Sequence, residues 1–369
     1  MEKMKATVVG GGNAAFGFSA ALKLRGFEVA LLEAPEFEAS IQPVIEQGGI
    51  QIRGVVGEGM AELDDVTTDA QAAVSGASII FVCVPAYGQD RMTRLLAPHL
   101  VDDQIVLLMP GNCGGALAFV EHLRNSGTGQ QPIVAEASSF LLACKKEGPA
   151  GVWVRGLKQG MSVAAFPGKQ TGWVVDVLRE TFTEFAAVRH VLETSLTNAN
   201  HVVHPPGILL NLGLVELAKE DWSFFFQGLS PGVCRTMEAI DGERLEILLQ
   251  LGLPPVSALD WMLRFYGHQG LCGDTLYEAL STTPVHGASK GPRTIDHRYI
   301  TEDIPFGLVP MASIGRQLGV DVSSIEAMVD LACIACDRDW WAEGWTLNQM
   351  GLAGMSAAGM LDYVVEGSL

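Results

Sequence analysis

Val8-Val9-Gly10-Gly11-Gly12-Asn13-Ala14-Ala15 is the stretch on which the fold of this chain turns. The β-rich run Ala6 to Val9 leads into it, and a helical pattern from Ala14 to Arg25 leads out. Gly10, Gly12 and Ala15 fall at the glycine, glycine and small-residue positions of a strand–turn–helix unit that binds a dinucleotide. The first glycine permits the tight turn, the second lets backbone approach a pyrophosphate, and the small third residue lets helix and strand pack closely. At Asn13 and Ala14 the opening helix offers unbonded N–H groups and the positive end of its dipole to the phosphates. A second strand, Val29 to Leu32, is closed by Glu33, about twenty residues on, where an acid that binds the adenosine ribose belongs. A carboxylate there repels a 2′-phosphate, and no Lys or Arg between Ala34 and Ile52 offsets it. The expected cofactor is therefore NAD in preference to NADP.

Short apolar runs recur beyond this unit at Ser78 to Val84, Ile105 to Met109 and Pro132 to Ala135, with helical patterns between them. That alternation predicts a doubly wound, Rossmann-type parallel sheet covered on both faces. Val152 to Val154 and Met161 to Ala164 read as further strands, followed by a helix from Gly172 to Phe185. In open parallel sheets ligands sit beyond the carboxyl ends of the strands. The loop at Val82 to Tyr87, with Val84 and Pro85, and the loop Met109 to Gly115, with Asn112, are thus candidates to line the nicotinamide side; ordinary βα turns are the competing reading.

From about Glu193 the pattern becomes helical: Leu209 to Lys219, Gly232 to Leu251, Ala258 to Tyr266, Pro310 to Leu318 and Ser323 to Cys336. The expected organisation is an α/β dinucleotide-binding domain over 1–189, followed by an all-α substrate and catalytic domain over 190–369. Ser281 to Arg293 is rich in turn formers and reads as a surface loop. Trp340-Trp341 and Leu352 to Met360 are expected in the core rather than on a dimer face.

Composition narrows the function classes. With 369 residues, 48% of them hydrophobic and 18% charged, the chain has material for two sizeable cores. A formal charge of −18 argues against a nucleic-acid partner, since phosphate binding needs a basic face. No apolar run is long and charge-free enough for a membrane span, and the N-terminus has no signal-peptide pattern. Seven scattered cysteines read as reduced thiols, so a cytoplasmic protein is expected, monomeric or homodimeric, acting on small molecules. Cys333 and Cys336 have CxxC spacing, but no second Cys or His pair lies nearby, and no metal site is expected.

Two polar segments in the helical half carry candidate chemistry. In Asn198-Ala199-Asn200-His201-Val202-Val203-His204-Pro205-Pro206, Asn200 and His204 are one helical turn apart and share a face. Pro205 disfavours α conformation at His204, so the helix is expected to break or kink there. Histidine suits proton transfer near neutrality, with His201 as the internal competitor. The second segment, Asp296 to Pro305, is dense in ionisable groups. A guanidinium there can grip a carboxylate through paired hydrogen bonds, and a carboxylate can orient an imidazole. A solvated loop of charges is the plain alternative.

The combination of NxxxHP at Asn200 to Pro205 with RYxxEDxP at Arg298 to Pro305 resembles the octopine/nopaline dehydrogenase group of opine dehydrogenases, with the glycine fingerprint at the expected end. The resemblance spans essentially the whole chain. It implies that His204 is the catalytic acid/base with Asn200 beside it, that Asp303 partners the histidine, and that Arg298 helps hold a substrate carboxylate. Asn112 and Glu136 are further substrate-side candidates. Glu136-Ala137-Ser138-Ser139 corresponds to a substrate-side loop but departs from the family pattern, which leaves the substrate open. The implied reaction condenses an α-keto acid with the amino group of an amino acid and reduces the resulting imine with the nicotinamide. The competing functions are a hydroxy-acid dehydrogenase that reduces a keto acid directly and a non-catalytic dinucleotide sensor. The proposal requires the stretches around His204 and Asp303 to converge.

Overall fold

The structure, a computed structural model, describes residues 4–219, 221–282 and 289–368. It divides into two compact units. Met1–Gly111, Gly115–Thr194 and Tyr363–Leu369 form the first, and Asn112–Gly114 with Ser195–Asp362 form the second.

The first unit holds strands β1 (Lys5–Val9), β2 (Glu28–Leu32), β3 (Ile50–Gly54), β4 (Gly59–Ala61), β5 (Asp65–Thr67), β6 (Ile79–Val82), β7 (Ile105–Leu108), β8 (Ile133–Ala137), β9 (Leu142–Lys146), β10 (Gly151–Leu157), β11 (Met161–Phe166) and β12 (Phe185–Ala187). The main sheet runs β12-β11-β8-β7-β6-β1-β2-β5. Its stretch β5-β2-β1-β6-β7-β8 is parallel throughout and has the strand order of dinucleotide-binding folds. β11 adds antiparallel to β8, and β12 parallel to β11. The strands β6 and β7 are buried at every residue, as strands covered on both faces must be. The register pairs Val9 with both Leu32 and Val82, so the carboxyl ends of β1, β2 and β6 are level. Open parallel sheets take their ligands beyond such ends, and this is the candidate ligand edge.

A second, smaller sheet, β4-β3-β10-β9, goes beyond the sequence reading, which had only part of β10. It packs on the helix Asn13–Leu24, and this explains why that helix is buried without interruption from Ala15 to Leu22. A helix apolar all round needs cover on both sides. Gly17 makes the close approach possible, because a Cβ there would lie 2.2 Å from Cys144 Sγ. Phe16, Phe18 and Leu22 are fully buried as a result, each contributing about 1.5–3 kcal/mol of transfer free energy. The helix expected from Gly172 to Phe185 is corrected: it spans Thr171–Arg179, and Phe185 begins β12. Val174, Val175 and Leu178 keep the helical period, but Thr181 and Thr183 are weak helix formers, and pairing with β11 captures the residues after them.

The second unit is helical, with helices Asn200–Leu209, Pro231–Gln250, Ala258–Tyr266, Val309–Gln317 and Ser323–Cys336. Among the described residues its β structure is a single bridge, Ser223 to Lys290. The helix expected from Leu209 to Lys219 is also corrected. The preceding helix ends at Leu209, and Leu214–Ala218 is a separate π-helical turn. Asn211 Nδ2 donates to Gly207 O at 3.0 Å, taking up the carbonyl that the continuing helix would use. A buried ion pair ties this unit together: Arg244 Nη2 lies 2.6 Å from Asp241 Oδ1, and Asp241 Oδ2 accepts from Ala258 N at 2.8 Å. The core expected at Trp340-Trp341 and Leu352 to Met360 is corrected: Trp340, Leu352 and Met360 are buried, but Trp341 is half-buried and residues 353–359 are half-buried or exposed. Residues 283–288 of the expected surface loop lie outside the described residues. Among the described residues, no helix is long and apolar enough to cross a membrane.

Candidate active site

Backbone geometry shapes the nucleotide loop. Gly10 has φ +121°, and a Cβ there would lie 3.1 Å from Cys83 O and 3.2 Å from Val84 Cγ1. Only glycine takes that conformation at so close an approach. Gly12 is the N-cap of the helix that begins at Asn13, with no side-chain cap and open space where a Cβ would stand. The first N–H groups of the helix therefore remain available, and Gly12 and Asn13 are exposed, Ala14 partly so. Ala15 is buried against the strand. Pro85 caps the helix Ala86–Leu96 just after Val84, so both lie at the ligand edge. An uncapped helix end above a glycine cradle fits a pyrophosphate.

Glu33 sits at the end of β2, 6% exposed, with Oε1 accepting from Ala34 N at 2.8 Å. Burial pushes its carboxyl up; backbone hydrogen bonds from Ala34 and Gly11, the Ser40 hydroxyl and the charge of Lys146 work the other way. Lys146 is a residue the sequence reading missed. Its Nζ lies 3.2 Å from Gly11 O and over the Phe16 ring, and its backbone N–H donates to Asn13 Oδ1 at 2.8 Å. The stretch Ala34 to Ile52 lacks a cation, but strand β9 supplies one from far along the chain. No local pattern marks it, since the contact depends on the second sheet.

In the second unit, the helix Asn200–Leu209 and the segment His297 to Asp303 meet at one carboxylate. Asp303 Oδ2 is 2.8 Å from His204 Nδ1, and Asp303 Oδ1 is 2.8 Å from His201 Nδ1. The two stretches converge, and both histidines, not one, share the aspartate. Burial would push the Asp303 carboxyl up, but the charge of His204 and hydrogen bonds from His201 and His204 outweigh it and hold the group well below the carboxylate range. Of the break or kink expected at His204, the break is corrected: the helix continues through Pro205 and Pro206 to Leu209. Each proline forfeits one backbone bond, and burial of both rings in the unit offsets that loss.

His204 is stacked on Tyr299, ring centroids 3.6 Å apart and 13° between planes. His297 meets Tyr299 in a T-shaped contact, ring centroids 4.6 Å apart, and its Nδ1 accepts from Tyr299 N at 3.3 Å. Burial first, then the charges of His204 and Arg298, push the His297 imidazole down to about 4, so it is neutral at physiological pH. Sequence reasoning singled out neither residue, although both lie in or beside the RYxxEDxP stretch. Asn200 joins the cluster through its backbone N–H, which donates to Asn198 Oδ1 at 3.1 Å. Asn198, also missed, places Nδ2 3.3 Å from His201 Nε2.

The substrate-side candidates separate into two groups. Arg298, with its side chain 43% exposed, has Nε 3.2 Å from Glu302 Oε2, and Asn112 Nδ2 donates to Glu302 Oε1 at 3.2 Å. The structure thus brings Arg298 and Asn112 together through Glu302. Asn112 adopts φ 56°, a left-handed conformation that asparagine tolerates, and the following loop is fixed by Cys113 N to Phe306 O at 2.9 Å. Glu136 is fully buried in the first unit, packed on Gly111, where a Cβ would lie 2.4 Å from its Oε2. Its Oε1 accepts from the Thr194 hydroxyl at 2.6 Å, and its Oε2 from Ala116 N at 2.9 Å, in the first turn of the helix Gly115–Ser126.

Residues 187–336 match the family described as NAD/NADP octopine/nopaline dehydrogenase, alpha-helical domain. The opine dehydrogenase of Arthrobacter sp. (strain 1C) is 34% identical over 365 residues, covering 99% of each chain. Among solved structures, octopine dehydrogenase with NADH and L-arginine superposes with a TM-score of 0.79 at 20% identity, over 100% of this chain and 99% of that one. Yersinopine dehydrogenase with NADP+ bound gives 0.72 at 15% identity, over 99% and 98%. The two solved structures share the fold, and the full-length identity to the Arthrobacter enzyme carries the kinship: this chain belongs to the opine dehydrogenase family of NAD(P)-dependent oxidoreductases.

Proposed function

We propose that this enzyme joins an α-keto acid to the amino group of an amino acid and reduces the imine between them, with His204 exchanging protons and Asp303 holding it. The observation that carries the assignment is the 2.8 Å bond from His204 Nδ1 to Asp303 Oδ2. It fixes one ring nitrogen as a donor to the carboxylate and leaves Nε2 as the exchanging atom. His204 Nε2 then takes a proton from the incoming ammonium and gives it to the departing hydroxyl of the carbinolamine, which leaves as water. Asp303 stabilises the imidazolium formed in between. Asn200 supports the helix start from which His204 projects.

The reaction also requires two carboxylates to be held near one carbon. Arg298 serves one of them, with Glu302 and Asn112 setting the direction of its guanidinium. Glu136 acts on the substrate side indirectly, by holding the first turn of the helix that follows the Asn112 loop. Gly10, Gly12, Asn13, Ala14 and Ala15 would cradle the pyrophosphate, Glu33 the adenosine ribose, and Val84 with Pro85 the nicotinamide side. NADH, when bound, supplies the hydride. Glu33 favours NAD, while Lys146 beside it softens the bar to NADP. All seven cysteines are free thiols, which supports a cytoplasmic setting.

A matrix of keto acids against amino acids, followed by loss of NADH absorbance, tests the reading. Oxidation should require both partners. Oxidation by a keto acid alone would instead identify a hydroxy-acid dehydrogenase, and NADH binding with no turnover across the matrix would identify a sensor.

A further inference from the structure

The hydrogen bonds behind His201 determine where its proton sits. The Asn200 backbone N–H can only donate, so the Asn198 atom 3.1 Å from it is the oxygen, and the amide's orientation follows. Asn198 Nδ2 then faces His201 Nε2 at 3.3 Å. Two donors cannot share a hydrogen bond, so Nε2 is the acceptor and carries no proton. The one remaining hydrogen of the neutral ring is on Nδ1, 2.8 Å from Asp303 Oδ1. The fold also makes room for this ring. A Cβ on Gly307 would lie 2.3 Å from His201 Nδ1, so the π-helical turn Ile304–Leu308 is pressed against the imidazole itself.

We infer that His201 is a positioning residue for proton transfer: an Nδ1-protonated donor, locked in that tautomer by Asn198, that occupies Asp303 Oδ1 and tempers the carboxylate's pull on His204. The inference rests on the reading of His204 as the proton-exchanging group. A carboxylate bonded by one imidazole holds that imidazole's proton tightly; one that also accepts from a second N–H shares its charge and holds it less tightly. His204 returns its proton to substrate more readily as a result. The second bond also fixes the carboxylate plane, and with it the direction of His204 Nε2.

The surroundings leave these groups in control of the proton. The downstream segment presents Asp303, Tyr299 and the neutral His297 to His204, with Arg298 and Glu302 paired beside them. The packed helix Pro231–Gln250 buries Asp241 and Arg244, already paired with each other, and the thiol of Cys234, which burial keeps protonated. Ser323–Cys336 buries only Ile325, Met328, Val329 and Ala332, and the turn Phe224–Gly228 contributes the ring of Phe224.

Two measurements test the inference. In kcat against pH, His201→Leu should move the limb governed by His204 upward by about one pH unit, the worth of one charge-assisted hydrogen bond, with NADH affinity unchanged. His201→Asn, whose Nδ2 takes the place of Nδ1 as a donor, should retain the wild-type profile. An unmoved limb in folded His201→Leu would overturn the inference and leave the His204 reading standing; activity retained in His204→Ala would overturn that reading itself. Nitrogen NMR of histidine-labelled wild-type enzyme needs no variant to fold. The His201 signals should show an unprotonated Nε2 and a protonated Nδ1 across the working pH range, and an imidazolium or the opposite tautomer would refute the assignment.

Discussion

The nucleotide loop of the first unit and the histidine–carboxylate cluster of the second are built from opposite materials. The loop works by what it lacks: no Cβ at Gly10 or Gly12 and no side-chain cap on the helix, so that main-chain N–H groups stand open. The cluster works by side chains that hold one another, Asn198 to His201 to Asp303 to His204, each set by the next. A site of the first kind should be damaged by adding atoms, and one of the second kind by removing them. The two should also fail differently, the first in cofactor binding and the second in turnover.

The largest effect is expected at the cluster. His204→Ala should lower kcat by roughly 10²- to 10⁴-fold, the usual worth of a positioned acid/base, while the NADH dissociation constant stays within about twofold. A loss of NADH affinity of similar size would erase the contrast between the regions. Next comes Gly10→Ala. Its φ of +121° and the tight 3.1 Å approach to Cys83 O would strain an alanine there, so the NADH KM should rise by about tenfold or more, with kcat at saturating NADH less affected. A normal NADH KM would show that the turn is not needed for the cofactor.

Glu33→Ser sharpens the comparison further, because it removes a side chain from a site otherwise made of backbone. With Lys146 left in place, the ratio of kcat/KM for NADPH over NADH should rise by about tenfold, and Glu33→Ser with Lys146→Met should lose much of that gain. Equal ratios in the two variants would deny Lys146 any part in cofactor choice.

The smallest effect concerns a histidine that has no carboxylate. His190, 3% exposed in the first unit, is pushed down to about 4 by burial, and then by the charge of Arg189. Between its ordinary 6.5 and about 4, the unfolded chain takes up a proton that the folded one refuses. Stability should therefore fall as pH drops through that window and level off below it. His297 adds to the same slope. His190→Gln should flatten the slope, raising Tm at pH 5 relative to the parent by a few degrees. An unchanged slope would return the whole effect to His297.

How much of this was legible follows the same division. The turn, helix start and ribose acid lie within one strand–helix–strand unit, and each residue there answers to its neighbours; the sequence reading of Gly10 to Glu33 needed no distant partner. The pairing of His204 with Asp303 was expected only through a family resemblance, since nothing in either stretch alone points to the other. The equal share of His201 in that carboxylate, the stacking of Tyr299 on His204 and the approach of Lys146 to Gly11 were not legible. Local rules also misled in places. The residue before a proline is biased against helix, yet the helix runs through Pro205, because buried packing outweighs a local preference.

By itself, then, the sequence determined the central parallel strands, most of the helices, the glycine turn and the identity of the ionisable groups, because φ and ψ preferences and apolar period are properties of adjacent residues. Tertiary structure alone decided which oxygen of Asp303 each histidine receives, which ring nitrogen of His201 carries the hydrogen, and that a lysine from β9 stands beside Glu33. Those outcomes depend on chain segments up to 135 positions apart being closed onto one another, and the contact energies that select them exist only after the cores have packed.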